Sequence, residues 1–179
     1  MMTYLAGAID MIQDRKDGDV AKTWKVKANK ELNEYRISTI DPAGTFSMGS
    51  QITRYSNEDK FDEFVRDAKK LADINGYNMF ASDVVLMRLG NEPTIGTPME
   101  LMMLAEYRSK ALIDKSPFLV IWWDSNRPVP YYIGAMISKM DDKDFILVFN
   151  YTDNYITVDN IFEDIYEFIE KLEEEIKLC

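Results

Sequence analysis

The chain has no histidine, and its one cysteine is residue 179. Without an imidazole there is no Ser-His-Asp triad, no Cys-His dyad, no HExxH zinc site and no His-ligated haem. A single thiol makes neither an internal disulfide nor a cysteine-rich metal site. Chemistry in this chain must rest on carboxylates, Lys, Tyr, Ser or Thr, or on a bound cofactor. Long apolar runs are also missing. Stretches such as Phe118 to Trp123 fall far short of the ~20 residues that cross a bilayer, so no membrane partner is expected. The opening residues, MMTYLAGAID, have no basic region and run into an acid, which predicts no signal peptide and a cytoplasmic protein. Basic residues are scarce: 21 Lys and Arg face 31 Asp and Glu, for a net charge of −10. That balance argues against a nucleic-acid partner. A small anionic ligand stays open, because a pocket can be locally positive, at a helix N-terminus for instance.

What is present is ordinary globular composition. The 179 residues are 46% hydrophobic and 29% charged, enough for one domain over 1–179 with a true core. Thr3 to Ile9 reads as a first strand, followed by a charged loop. Val20 to Tyr35 has helical spacing, with Trp24, Ala28 and Leu32 on one face. Arg36 to Ile40 is a short strand ending at Asp41-Pro42, and Ala43 to Ser56 reads as a loop whose Thr45 or Ser47 could hydrogen-bond a base, with no motif that singles them out. Asn57 caps a helix over Glu58 to Ile74, with Phe61, Phe64, Val65, Ala68 and Leu71 as its stripe and Gly76 as its end. Asp83 to Leu89 is a buried strand, Pro98 to Ala111 a helix, and Phe118 to Trp123 a second buried strand. Val129 to Met140 (helix), Asp144 to Asn150 (strand) and Val158 to Leu178 (acidic helix) complete the order. Five strands alternating with helices, with unbroken apolar strands, predict an α/β fold: a parallel sheet covered by helices on both faces. Ligands of such sheets bind at the carboxyl ends of the strands, here after Ile9, Ile40, Leu89 and Trp123.

The most informative segment is EPTIGTPMEL, Glu92 to Leu101, which joins a buried strand to a helix. Two readings of Glu100 stand side by side. In one, Thr97 is the N-cap, Pro98 is N1, and Thr97 and Glu100 form a T-x-x-E capping box. In the other, a carboxylate in the first turn, favoured in its charged form by the helix dipole, faces the ligand crevice. A fixed carboxylate there suits attack on an anomeric carbon through an oxocarbenium-like transition state. Gly96 lets backbone approach a sugar or phosphate closely, and Thr94 and Thr97 offer hydroxyls. Met99, Met102, Met103 and Leu104 read as core filling, and of these Met99 alone lies close enough to Glu100 to line a pocket. Asp10 closes the first-strand loop, either as a plain loop acid or as a contact to the sugar. Trp24 is expected to pack the first helix on the sheet, and Asp124 to be a turn acid.

The segment YLAGAID with Trp24 downstream, the strand SDVVLMRL, and EPTIGTPMELMMLAEYRSKALI resemble the nucleoside 2-deoxyribosyltransferase family, whose superfamily includes the 2'-deoxynucleoside 5'-monophosphate N-glycosidases. The likeness runs in element order from about residue 3 to residue 123, and more loosely beyond. The resemblance implies a flavodoxin-like or Rossmann-like fold, no cofactor and no metal. It implies cleavage of the N-glycosidic bond of 2'-deoxynucleosides or their 5'-monophosphates, with the sugar passed to water or to a second base. Carried over residue by residue, Glu100 is the nucleophile and Tyr4 positions it. Gly7 and Ala8 form the loop beside the sugar, and Thr94 contacts a 5'-phosphate. A homo-oligomer, dimer or higher, is implied, with 126–132 of a neighbour beside the site.

The chain departs from the family at the base. Counting back from Asp83 to the aspartate that contacts the base reaches Asn75, an amide; moving to Asp73 restores an acid but breaks the spacing. Where several transferases carry an Asp after the third strand, this chain has Leu89, Gly90 and Asn91. Alternative readings are a non-catalytic nucleotide-binding or regulatory module of the same fold, and an NAD-type nucleotide glycohydrolase.

Overall fold

The computed structural model describes residues 1–7, 18–42, 61–90, 96–109, 116–124, 128–140 and 145–149. Ala8, Asp10, Thr45, Ser47, Thr94 and the helix expected over 158–178 lie outside the described residues. In chain order the elements are β1 (Met2–Ala6), α1 (Gly18–Glu34), β2 (Ser38–Ile40), α2 (Phe61–Ala81), β3 (Val84–Gly90), α3 (Gly96–Ser109), β4 (Phe118–Asp124), α4 (Tyr131–Ile137) and β5 (Phe145–Phe149).

The five strands form one sheet in the order β2-β1-β3-β4-β5, with every pair parallel. β3 and β4 read as nearly continuous apolar runs, broken in β3 by Arg88, because both of their faces are covered. Along β1 to β4 alternate side chains feed two cores. Tyr4, Ala6, Val85, Met87, Ile121 and Trp123 pack with Met79 of α2, Leu101 and Leu104 of α3 and Ile133 of α4. Leu5, Val84, Leu86, Val120 and Trp122 pack with Trp24, Ala28 and Leu32 of α1. Those three α1 residues recur every fourth position, which places them on one face. The expected α/β architecture is therefore present, with α1 on one face of the sheet and α2, α3 and α4 on the other. No described helix is long and apolar enough to cross a membrane.

Several boundaries differ from the sequence reading, each for a physical reason. α1 ends at Glu34 in a Schellman turn: Ile37 N–H donates to Leu32 O (3.0 Å) and Arg36 N–H to Asn33 O (3.0 Å). Arg36, expected to open a strand, takes the left-handed position instead, at φ 62°. The accompanying apolar contact is between Leu32 and Ile37, which share a core. α2 runs through Gly76, expected to end it, and on to Ala81. Gly76 faces Met103, whose Cε lies 3.7 Å from where a Cβ would stand, and Met79 is fully buried one turn later. Burial of that turn outweighs the ~1 kcal/mol helix penalty of one glycine. Val65, expected on the buried stripe, is exposed.

The order 2-1-3-4-5 places a topological switch point between β1 and β3. The chain leaves β1 for β2 on one side and returns to β3 on the other, the arrangement that in open α/β sheets forms a ligand crevice at the carboxyl ends of those two strands.

Candidate active site

On the α3 side of this crevice the sheet offers Tyr4. Its neighbours in register are Ile40 on β2 and Val85 on β3, so it is central in the sheet, and it is fully buried. A buried tyrosine needs a partner for its hydroxyl. That partner is Glu100: the phenol donates to Glu100 Oε1 at 2.8 Å, across 96 residues of sequence.

Glu100 occupies a helical position that the fold would otherwise fill with an apolar residue. On α3, Thr97, Leu101, Leu104 and Ala105 are buried, and Glu100 lies three residues from Thr97 and four from Leu104, on the edge of that inward face. It is half-buried. A carboxylate taken from water at such a place is costly unless it accepts hydrogen bonds, and the Tyr4 phenol supplies one, strengthened by the charge of the acceptor.

The capping-box reading does not hold. α3 begins at Gly96, so Thr97 lies inside its first turn, buried, and the first turn holds no acid. Glu100 thus sits beyond the reach of the first-turn dipole effect as well. The strand residue Tyr4 holds one oxygen of the Glu100 side chain, a contact that local spacing in the sequence does not reveal.

The remaining expected residues are placed as follows. Gly96 opens α3 directly after the 91–95 loop, half-buried. Met99, expected as core filling, is 53% exposed, because its position on α3 turns it away from the inward face of Leu101, Leu104 and Ala105. Met102, expected in the core, is exposed too, whereas Leu104 is buried. Asn75 is half-buried on α2, one turn before the core residue Met79 and on its face, while Asp73 is exposed. The helix therefore turns Asn75, not Asp73, toward the body of the protein.

Gly7 follows β1 at the crevice floor. A Cβ there would stand 2.5 Å from Trp24 Cζ2 and 3.1 Å from Cε2, so the indole occupies the space that a side chain would need. Trp24 is buried on the sheet as expected. Asp124, expected as a turn acid, closes β4 and is ion-paired with Arg88 (Nε to Oδ2, 2.8 Å), and Asp41 is ion-paired with Lys25 (3.2 Å). The sequence reading passed over Arg88 and Lys25. The signal was available for Arg88: it is the one charge inside VVLMRL, and period two puts it on the face of Val84 and Leu86.

Compared with protein-family models the chain matches none, and a search among curated proteins finds no match.

Proposed function

We propose that the chain cleaves the N-glycosidic bond of a 2'-deoxynucleoside or its 5'-monophosphate, with Glu100 as nucleophile and Tyr4 as the residue that positions it. The observation that carries this reading is the Tyr4–Glu100 hydrogen bond at the switch-point crevice. A buried strand tyrosine holding a helix carboxylate at the mouth of a parallel sheet is costly as plain packing and suited to a directed nucleophile. With Oε1 held by the phenol, the carboxylate's rotamer is set and its attack line with it.

In the first step a Glu100 carboxylate oxygen bonds to C1' of the sugar as the bond from C1' to the base nitrogen breaks. The electron pair leaves with the base, which takes up a proton. In the second step water, or the nitrogen of another base, attacks C1' and the carboxylate departs. Two displacements retain the anomeric configuration. Asn75 can hydrogen-bond a base but has no proton to give at neutral pH, so this reading draws the leaving-group proton from solvent or from the substrate's surroundings. The protein would work in the cytoplasm as a homo-oligomer, and the outward Tyr131 and Tyr132, in the stretch assigned to a neighbour's site, support that arrangement.

The test is incubation of the full chain with a panel of 2'-deoxynucleosides, their 5'-monophosphates and NAD, with and without an added free base, followed by chromatography. Free base from a deoxynucleoside or monophosphate is expected. Release from NAD alone would move the activity to the glycohydrolase alternative. The amide at Asn75 favours a second reading, a nucleotide-binding module. It predicts saturable nucleotide binding with no base released over hours.

A further inference from the structure

Methionine is a flexible, polarizable side chain whose sulfur can be oxidised, and the fold sorts the described methionines into two groups. Met79 and Met87 are fully buried and Met140 is 7% exposed, whereas Met99 is 53% and Met102 44% exposed. Met1, ahead of β1, is exposed as well. Met99 and Met102 stand three residues apart on α3, so their side chains are neighbours on one helix face. That face is the outward one, since Thr97, Leu101, Leu104 and Ala105 are buried on the other. Met103 follows directly in sequence but packs against the core, its Cε 3.7 Å from where a Cβ of Gly76 would stand. The exposure is therefore a property of two positions on this helix.

A peroxide converts a thioether to a sulfoxide. A lone pair of the sulfur attacks one peroxide oxygen and the O–O bond breaks. The departing hydroxide takes the proton of the transferred oxygen and leaves as water, so sulfur is oxidised and the peroxide reduced. The product is polar and chiral. At Met79 or Met87 the new oxygen would enter a close-packed core and lose its water. At Met99 and Met102 water solvates it, and neither side chain is among the residues of the two cores. Both sulfurs are thus open to the oxidant, and both products are tolerated by the folded chain.

We propose that Met99 and Met102 form a paired site of reversible oxidation by peroxide, which takes up two oxygen atoms while the chain stays folded and returns them to methionine sulfoxide reductases. Two reductases are needed, one for each epimer at sulfur. Reduction requires the side chain to enter a reductase pocket, and the outward face of α3 presents both side chains for that. The site does not depend on the role given to Glu100, which lies between the two methionines in sequence but on the edge of the inward face.

The test treats the full chain, folded and in urea, with a small excess of hydrogen peroxide. Catalase stops the reaction at set times, and mass spectrometry of fragmented peptides gives the rate at each methionine. In the folded chain Met99 and Met102 are expected to oxidise at least about tenfold faster than Met79, Met87 and Met140, and in urea the rates converge. Circular dichroism and the denaturation midpoint stay unchanged once Met99 and Met102 are oxidised. The two reductases with dithiothreitol then restore both thioethers without unfolding. A chain with Met99→Leu and Met102→Leu together takes up two fewer oxygen atoms over the same interval. Equal rates at exposed and buried methionines in the folded chain, loss of helical signal on oxidation of Met99 and Met102, or sulfoxides that the reductases reach only after unfolding would overturn the proposal.

Discussion

On the α3 side of the crevice one carboxylate meets one phenol; on the α1 side two cations meet two carboxylates and two indoles. The same strands supply both. Along β1, Tyr4 and Ala6 turn to one face, and Leu5 and Gly7 to the other. Along β3, Met87 and Leu89 serve one face, and Arg88 the other. Strand alternation thus lets a single sheet edge carry a tyrosine-held carboxylate on one side and a balanced set of charges on the other. The difference in charge fits a difference in task. A nucleophile must be held in place to react, whereas a charge cluster whose members are each paired holds its elements together.

The sharpest way to break this contrast is at Glu100. Glu100→Gln keeps the size of the side chain and a hydrogen-bonding group for Tyr4 but removes the attacking oxyanion. Base release is expected to fall at least about a thousandfold, with circular dichroism unchanged. Disruption of the α1 side is expected to act on stability instead. Gly7→Ala drives a methyl into the Trp24 ring, and denaturant unfolding should show a loss of about 1–3 kcal/mol. Adding Trp24→Phe, which makes room, should recover part of that loss. Tyr4→Phe is smaller and returns to the α3 side. It removes one hydrogen bond worth about 0.5–1.5 kcal/mol of stability, and kinetics should show kcat reduced by about tenfold with KM nearly constant. Smallest, and far from both sides, Arg36→Gly relieves a left-handed residue at the end of α1. A gain of about 0.5–1 kcal/mol in unfolding free energy is expected.

The strands were legible in the sequence because β3 and β4 are buried on both faces and read as apolar runs, interrupted only by Arg88 in β3 and closed by Asp124 in β4. The face of α1 was legible from the spacing of Trp24, Ala28 and Leu32. The end of α2 was not, since Gly76 is a stop signal locally and a packing site against Met103 in three dimensions. Glu100 stood out in its segment, but its local pattern pointed equally to a helix cap. Its contact with Tyr4 spans 96 residues, and only the family resemblance, not spacing, brought that pair together beforehand. Arg88 was hidden by the expectation that a buried strand is apolar throughout. Two tryptophan rings and Asp124, brought together by the fold, are what make a charge tolerable there.

The central claim is that Glu100 forms a covalent bond to the sugar, and a 2'-deoxy-2'-fluoro nucleoside tests it directly, because the fluorine slows the second displacement more than the first. Mass spectrometry of the treated protein and of its peptides should show one fluorodeoxyribosyl unit on the peptide containing Glu100, with one equivalent of base released and no adduct on Glu100→Gln. Release of base without any adduct on that peptide, or an adduct that persists in Glu100→Gln, would contradict the account.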